Sequence, residues 1–208
     1  MVERQLRRRG IHDERVLGAM GRVPRELFVP EPERPRAYAD GALPIGHEQT
    51  ISQPWIVAAI CQALELKGGE AVLEVGTGSG YSACVLAELA RRVVTVERVP
   101  ELARAARELI ASQDAHNVEV VEGDGSAGVP GEEDFDAIAV HATAPAPPPG
   151  LLARLRPRGR LVVPVDSGRM DMLTAIRRVD DDTGEPSFER RALGPCRFVP
   201  LIGSEGFS

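Results

Sequence analysis

The stretch "VLEVGTGSGYSA", residues 72–83, decides how this chain is read. Its first half completes "AVLEV" (71–75), an apolar run of strand length, and its second half opens "YSACVLAELA", an apolar run of helix length. Gly76, Gly78 and Gly80 lie between them, with Thr77 and Ser79 interleaved. A glycine turn from strand to helix lets the backbone come close to a ligand and aims helix N–H groups at it. Three alternating glycines are more than a bare turn needs.

Outward from this turn the pattern keeps alternating. "RVVTVE" is a strand, "PELARAARELIAS" a helix, "NVEVVEGD" and "FDAIAV" strands, "PGLLARLR" a short helix and "GRLVVPV" another strand. "MDMLTAIRRV" and "FERRALGPCRFVPLI" read as late strands joined by the turn-like "DDDTGEP". Strands alternating with helices predict an α/β fold, a doubly wound, mostly parallel sheet with helices on both faces. Ahead of it, residues 2–30 read as two short helices, one ending at Gly10 and one capped by Asp13. Residues 31–53 read as a long irregular stretch, ordered by Tyr38, Leu43, Ile45 and Ile51. Pro54 suits the first turn of the next helix, with Ser52 or Gln53 at its cap. "APAPPPG" (144–150) reads as a stiff loop. We expect one domain over 1–208: N-terminal helices and a covering loop (1–53), a ligand-binding core (54–165), and late strands with a substrate edge (166–208).

Bulk composition narrows the function. A formal charge of -6 argues against non-specific binding to nucleic acid or to an anionic membrane, both of which want a basic surface. The basic "RQLRRRG" (4–10) reads as the solvated face of a first helix. Cys61, Cys84 and Cys196 have no metal-ligand spacing, and so sparse a count fits a reducing cytosol. No apolar run approaches a membrane span, and the opening residues lack the apolar core of a secretory signal. A cytoplasmic monomer without metal is expected.

The ligand follows from the acids around the glycines. A dinucleotide fingerprint beginning at Gly76 would need Gly or Ala where Tyr81 stands, and there is no P-loop. Instead Glu74 precedes the loop, Glu97 ends the second strand 21 residues beyond Gly76, and Asp124 ends the third. These strand tips converge at the carboxyl edge of an open α/β sheet. An acidic pocket without a phosphate cradle suits a nucleoside carrying positive charge, and S-adenosylmethionine is one. On this reading Glu74 serves the loop or the amino group, Glu97 the ribose hydroxyls and Asp124 the adenine amino group.

"VLEVGTGSGYSA", "VVTVER", "VEGDGSAG", "FDAIAVHATAP" and "LLARLRPRGRLVVPV" resemble the ordered motifs of class I, Rossmann-like methyltransferases. "RVPRELFVP", "LPIGHEQTISQPWIVA" and "RFVPLIG" narrow the resemblance to the protein-L-isoaspartate O-methyltransferase family, over about residues 2–203. The resemblance implies transfer of a methyl group from S-adenosyl-L-methionine to the α-carboxylate of isoaspartyl residues in damaged proteins and peptides, leaving S-adenosyl-L-homocysteine. It implies donor contacts from Thr50, Ile51, Ser52, Glu74, Gly76, Thr77, Gly78, Ser79, Gly80, Glu97, Arg98, Gly123, Asp124, Gly125 and Ile202. It implies substrate contacts from Ser52, Arg197, Val199 and Leu201, with "CRFVPLIG" read as an edge strand offering backbone groups to an extended peptide. Ser52 has two readings, a hydroxyl that holds the substrate carboxylate or a cap for the helix at Pro54. Arg197 pairs with a substrate carboxylate or is simply solvated.

Two departures from the family pattern stand out. His47 and Glu48 replace an aromatic residue and a glycine, and His141 replaces a small hydroxyl residue. His47 tunes peptide preference or lies on the surface, and His141 packs in the core or lines the donor site. Trp55 packs over the donor entrance or the core. Relatives that methylate a chosen aspartate of a peptide natural product, the alternative acceptor, tend to carry extra sequence after "RFVPLIG". A donor-binding protein without catalysis is the other alternative.

Overall fold

A computed structural model describes residues 1–129, 131, 134–180 and 185–208. The chain starts with a π-turn over Val2–Leu6 and a 3-10 turn over Arg7–Arg9, stopped at Gly10 by its left-handed backbone (φ 90°). Helix α1 (Glu14–Arg22) is capped as expected, with the Asp13 carboxylate accepting from the Arg15 and Val16 N–H groups. Two 3-10 turns, Arg25–Phe28 and Glu31–Arg36, follow among the prolines.

Residues 43–51 correct the irregular reading. Strands β1 (Leu43–Gly46) and β2 (Gln49–Ile51) form an antiparallel hairpin. Its two turn residues, His47 and Glu48, both have positive φ (51° and 59°). That is the geometry of the two-residue hairpin turn that Asn-Gly normally signals, so this pair gave no sequence cue. Helix α2 (Pro54–Leu64) then starts at Pro54, with Gln53 as its N-cap residue and no side-chain cap.

The main sheet contains β3 (Ala71–Val75), β4 (Arg92–Glu97), β5 (Val118–Glu122), β6 (Phe135–Val140), β7 (Leu155–Asp166), β8 (Asp171–Asp180) and β9 (Pro186–Cys196). Its order is β5-β4-β3-β6-β7-β8-β9. The first five are parallel neighbours, and β8 and β9 add antiparallel, as the late strands predict. The turn joining β8 to β9 falls partly on residues 181–184, outside those described. Alternation along β3 sorts the two cores. Val72 joins the layer built with α1, α2 and α3 (Tyr81–Ala87), to which α4 (Pro100–Ser112) adds Ala106 and Ile110. Leu73 and Val75 join the opposite layer, closed by Leu151 of α5 (Pro149–Ala153).

"CRFVPLIG" also differs from its reading. The sheet edge ends at Cys196, and Val199–Leu201 leaves it to pair in parallel with Thr143, just beyond β6. The Thr143 N–H donates to the Val199 carbonyl (2.8 Å), and the Leu201 N–H donates to the Thr143 carbonyl (2.7 Å). Pro200 sits between those bonded residues, where no N–H is needed.

Candidate active site

The strand tips of the parallel sheet open into a cleft of about 410 Å³. Gly76, Gly78, Gly123 and Gly125 give it a wall of bare backbone. Gly76 and Gly78 have positive φ (93° and 53°), a conformation that favours glycine over any residue with a Cβ. At Gly125 a Cβ would stand 2.9 Å from Val75 Cγ1, so close packing fixes that glycine.

Glu97, only 6% exposed at the tip of β4, is held by two backbone donors. Its Oε2 accepts from the Gly78 N–H (2.8 Å) and its Oε1 from the Val99 N–H (3.0 Å). Each carboxylate oxygen keeps further lone pairs for a diol. Arg98 and Ile202 line the same cleft, and the roof comes from His47, Glu48, Gln49 and Thr50 of the hairpin. Val199 and Leu201 also line it. This acid-bearing, glycine-walled cleft fits a cationic nucleoside, and among the described residues no group of side chains could hold a metal ion.

A second cleft, of about 460 Å³, is lined by Arg9, Trp55, Arg197 and Phe198. Thr50, Ser52, Phe198 and Val199 line both clefts. Ser52 therefore stands at the junction between them with those three residues, and among the described residues its hydroxyl makes no hydrogen bond. The capping reading of Ser52 fails, since Gln53 occupies the cap position and no side chain caps α2. Trp55 packs at the second cleft, its ring under the Arg9 guanidinium (4.7 Å) and its Nε1–H on the Arg9 carbonyl (3.1 Å).

The Ser52 backbone is fixed by a residue with no role in the sequence reading. Arg25, 0% exposed, donates from Nε to the Ala37 carbonyl (2.7 Å) and from Nη2 to the Ser52 carbonyl (2.8 Å). Its guanidinium lies 4.8 Å from the centre of the Tyr81 ring, and its Nη1 has no partner. Burial lowers the Arg25 pKa from its ordinary value, with Tyr81 opposing, and burial raises that of Tyr81.

Several expected donor residues stand elsewhere. Ile51, the last residue of the hairpin, is buried in the core. Glu74, 0% exposed, faces α3 instead of the cleft, accepting from Thr95 Oγ1 (2.6 Å) and lying 3.3 Å from His141 Nε2. Thr77 is buried against Thr95 (2.6 Å), so its hydroxyl supports the loop from below. Ser79 and Gly80 shape the turn into α3 without lining the cleft, and a Cβ at Gly80 would meet Ile110. Asp124 spends its carboxylate on the Ser126 and Ser204 N–H groups (both 2.8 Å). Those backbone bonds depress its pKa against the opposing effect of desolvation. The three cysteines are free and buried, and burial raises the thiols of Cys84 to about 12 and Cys196 to about 11.

A sequence model described as Protein-L-isoaspartate(D-aspartate) O-methyltransferase matches residues 1–206. The chain belongs to that family. The protein-L-isoaspartate O-methyltransferase of Rhodopseudomonas palustris is 49% identical over 208 residues, covering all of this chain and 94% of the relative. That of Syntrophus aciditrophicus is 48% identical with the same coverage. A solved protein-L-isoaspartate O-methyltransferase structure superposes with a TM-score of 0.85 at 27% identity, spanning 96% of this chain and 64% of that longer one. A Plasmodium falciparum structure of the family, in complex with S-adenosyl-L-homocysteine, superposes with a TM-score of 0.79 at 26% identity, spanning 94% of each chain. Methyltransferases of this family use S-adenosylmethionine, and the glycine-walled cleft is where such a donor fits.

Proposed function

We propose that this chain methylates the free α-carboxylate of L-isoaspartyl residues in damaged proteins and peptides, with S-adenosylmethionine as donor. The observation that carries the reading is Ser52, an unengaged hydroxyl at the junction of a donor-shaped cleft and a second, peptide-sized one. Glu97 would hold the ribose hydroxyls, Gly76 and Gly78 the tail side, and Gly123, Gly125, Arg98 and Ile202 the base side. When bound, the donor supplies an electrophilic methyl group on a positively charged sulfur.

The remaining chemistry asks little of the protein. A carboxylate, with an ordinary pKa near 4, is already ionised at neutral pH, so no general base is required. Ser52 donates to one carboxylate oxygen and leaves the other directed at the donor cleft. Arg25 fixes the Ser52 backbone from below, so the hydroxyl does not have to be ordered during the reaction. The hairpin roof and the Val199–Leu201 segment exclude water.

We assign the second cleft to the peptide, with Arg197 and Val199 along it and Leu201 at the donor side. Acceptance of many flanking sequences follows if Val199 and its neighbours act through backbone. The division of labour is a covering segment (1–53), a donor-binding core (54–165) and a substrate edge (166–208). Isoaspartyl proteins are the partners. Among the described residues no helix is long and apolar enough to cross a membrane. We further infer, from the net charge of -6, a protein that binds neither nucleic acid nor membrane, from its three free cysteines a cytoplasmic one, and from its family a monomer. Radiolabelled methyl transfer to a peptide panel with scrambled flanks tests the acceptor. Isoaspartyl peptides should be labelled whatever their flanks, and labelling that follows the flanking sequence instead would overturn the assignment.

A further inference from the structure

His141 follows β6 and lines the donor cleft, yet its side chain is only 6% exposed. Its Nε2 is anchored inward, 2.9 Å from Ser82 Oγ in the first turn of α3 and 3.3 Å from Glu74 Oε1. Glu74 Oε1 is buried and accepts no hydrogen bond, so the 3.3 Å approach of Nε2 is an electrostatic contact. A buried acceptor left short in this way favours the ring proton on Nε2, because the partner at one ring nitrogen sets the tautomer. With the proton on Nε2, the neutral form of the ring carries its lone pair on Nδ1. Among the described residues Nδ1 has no hydrogen-bond partner, and His141 lines the cleft.

The ring's position selects the part of the ligand it meets. A Cβ on Gly76 would stand 3.4 Å from His141 Cβ, so the side chain starts against the first glycine of the loop. Phe198 flanks the ring, with centroids 6.3 Å apart. Glu97, the diol-binding acid, lies beyond Gly78 along the same wall. The nucleoside end of a donor belongs at Glu97, and its amino-acid tail therefore comes to Gly76 and His141.

We propose that His141 is a donor-binding residue, accepting at Nδ1 a hydrogen bond from the α-ammonium of the donor's amino-acid tail. Glu74 is its positioning residue, holding the tautomer and lending negative charge behind the ring. This rests on the assignment of the cleft to S-adenosylmethionine. It explains why Glu74, an acid expected to serve the donor, is turned away from the cleft: its effect reaches the ligand through the imidazole.

Calorimetry with two probes tests the assignment, S-adenosylhomocysteine and 5′-methylthioadenosine, which keeps the nucleoside and lacks the tail. His141→Ala should weaken S-adenosylhomocysteine about tenfold, about 1.4 kcal/mol, and leave methylthioadenosine within about twofold. His141→Asn, whose amide oxygen can take the place of Nδ1, should recover most of the loss. Should His141→Ala fail to fold, Glu74→Gln carries the same test, with loss confined to the tailed ligand. Equal weakening of both probes, or none of either, overturns the proposal. Failure of the unaltered protein to bind S-adenosylhomocysteine overturns the donor assignment instead.

Discussion

Replacing Arg25 by Lys isolates the clamp beneath Ser52. The guanidinium serves two carbonyls at once, Ala37 at 2.7 Å and Ser52 at 2.8 Å, and stacks on Tyr81. An ammonium is a point charge on a shorter stem and cannot repeat that fork. Losing one charge-assisted bond costs about 1.5–3 kcal/mol. Losing the ring contact costs about 0.5–2 kcal/mol. Removing the unpartnered Nη1 returns about 1 kcal/mol. The net loss is about 1–4 kcal/mol, or roughly 2–16 °C of melting temperature for a chain of this size. Because the Ser52 carbonyl is released, single-turnover methyl transfer should also fall, about tenfold. Denaturant unfolding and single-turnover kinetics on one preparation read both effects. Unchanged stability would refute the clamp, and lost stability with full turnover would refute its part in placing Ser52.

Ser52→Ala should lower turnover about ten- to a hundredfold, roughly 1–3 kcal/mol of transition-state stabilisation, with S-adenosylhomocysteine affinity nearly intact by calorimetry. Glu97→Ala should weaken that affinity by roughly 1–3 kcal/mol, since it strips the acceptor from the Gly78 and Val99 N–H groups as well as from the ligand. The depressed pKa of Asp124 makes its tie to Ser204 pH-dependent. Its contribution to stability is present above the ordinary carboxyl range, near pH 4, and is lost as pH falls through the lower folded value. The melting-temperature gap between the unaltered protein and Asp124→Asn should therefore be widest at neutral pH and close on acidification. A gap that persisted at pH 2 would contradict this.

Much of this arrangement was legible in sequence because it rests on local patterning. The strand "AVLEV", the glycine turn and Glu97 ending "RVVTVE" all stand in the structure as the pattern implies. What was missed depends on contacts distant in sequence. Arg25, between Pro24 and Glu26, reads as a surface residue, and only folding buries it under Ala37 and Ser52. The hairpin hid because His47 and Glu48 carry its turn without glycine or asparagine. Glu74 and Asp124 were rightly seen as strand-tip acids. Which way a carboxylate points depends on neighbours such as Thr95, His141 and Ser204, and no spacing rule supplies those. "RFVPL" was recognisable as a distinct segment, but its place beside Thr143 hangs on two backbone bonds.

The most direct test of the central claim is methyl transfer from S-adenosylmethionine to an isoaspartyl peptide and to its aspartyl twin, followed by mass spectrometry. A 14 Da gain on the isoaspartyl peptide alone, matched by one S-adenosylhomocysteine per methyl group and abolished by prior amidation of the α-carboxyl, is the predicted result. Equal methylation of both peptides, or of neither by a protein that binds the donor, would contradict it.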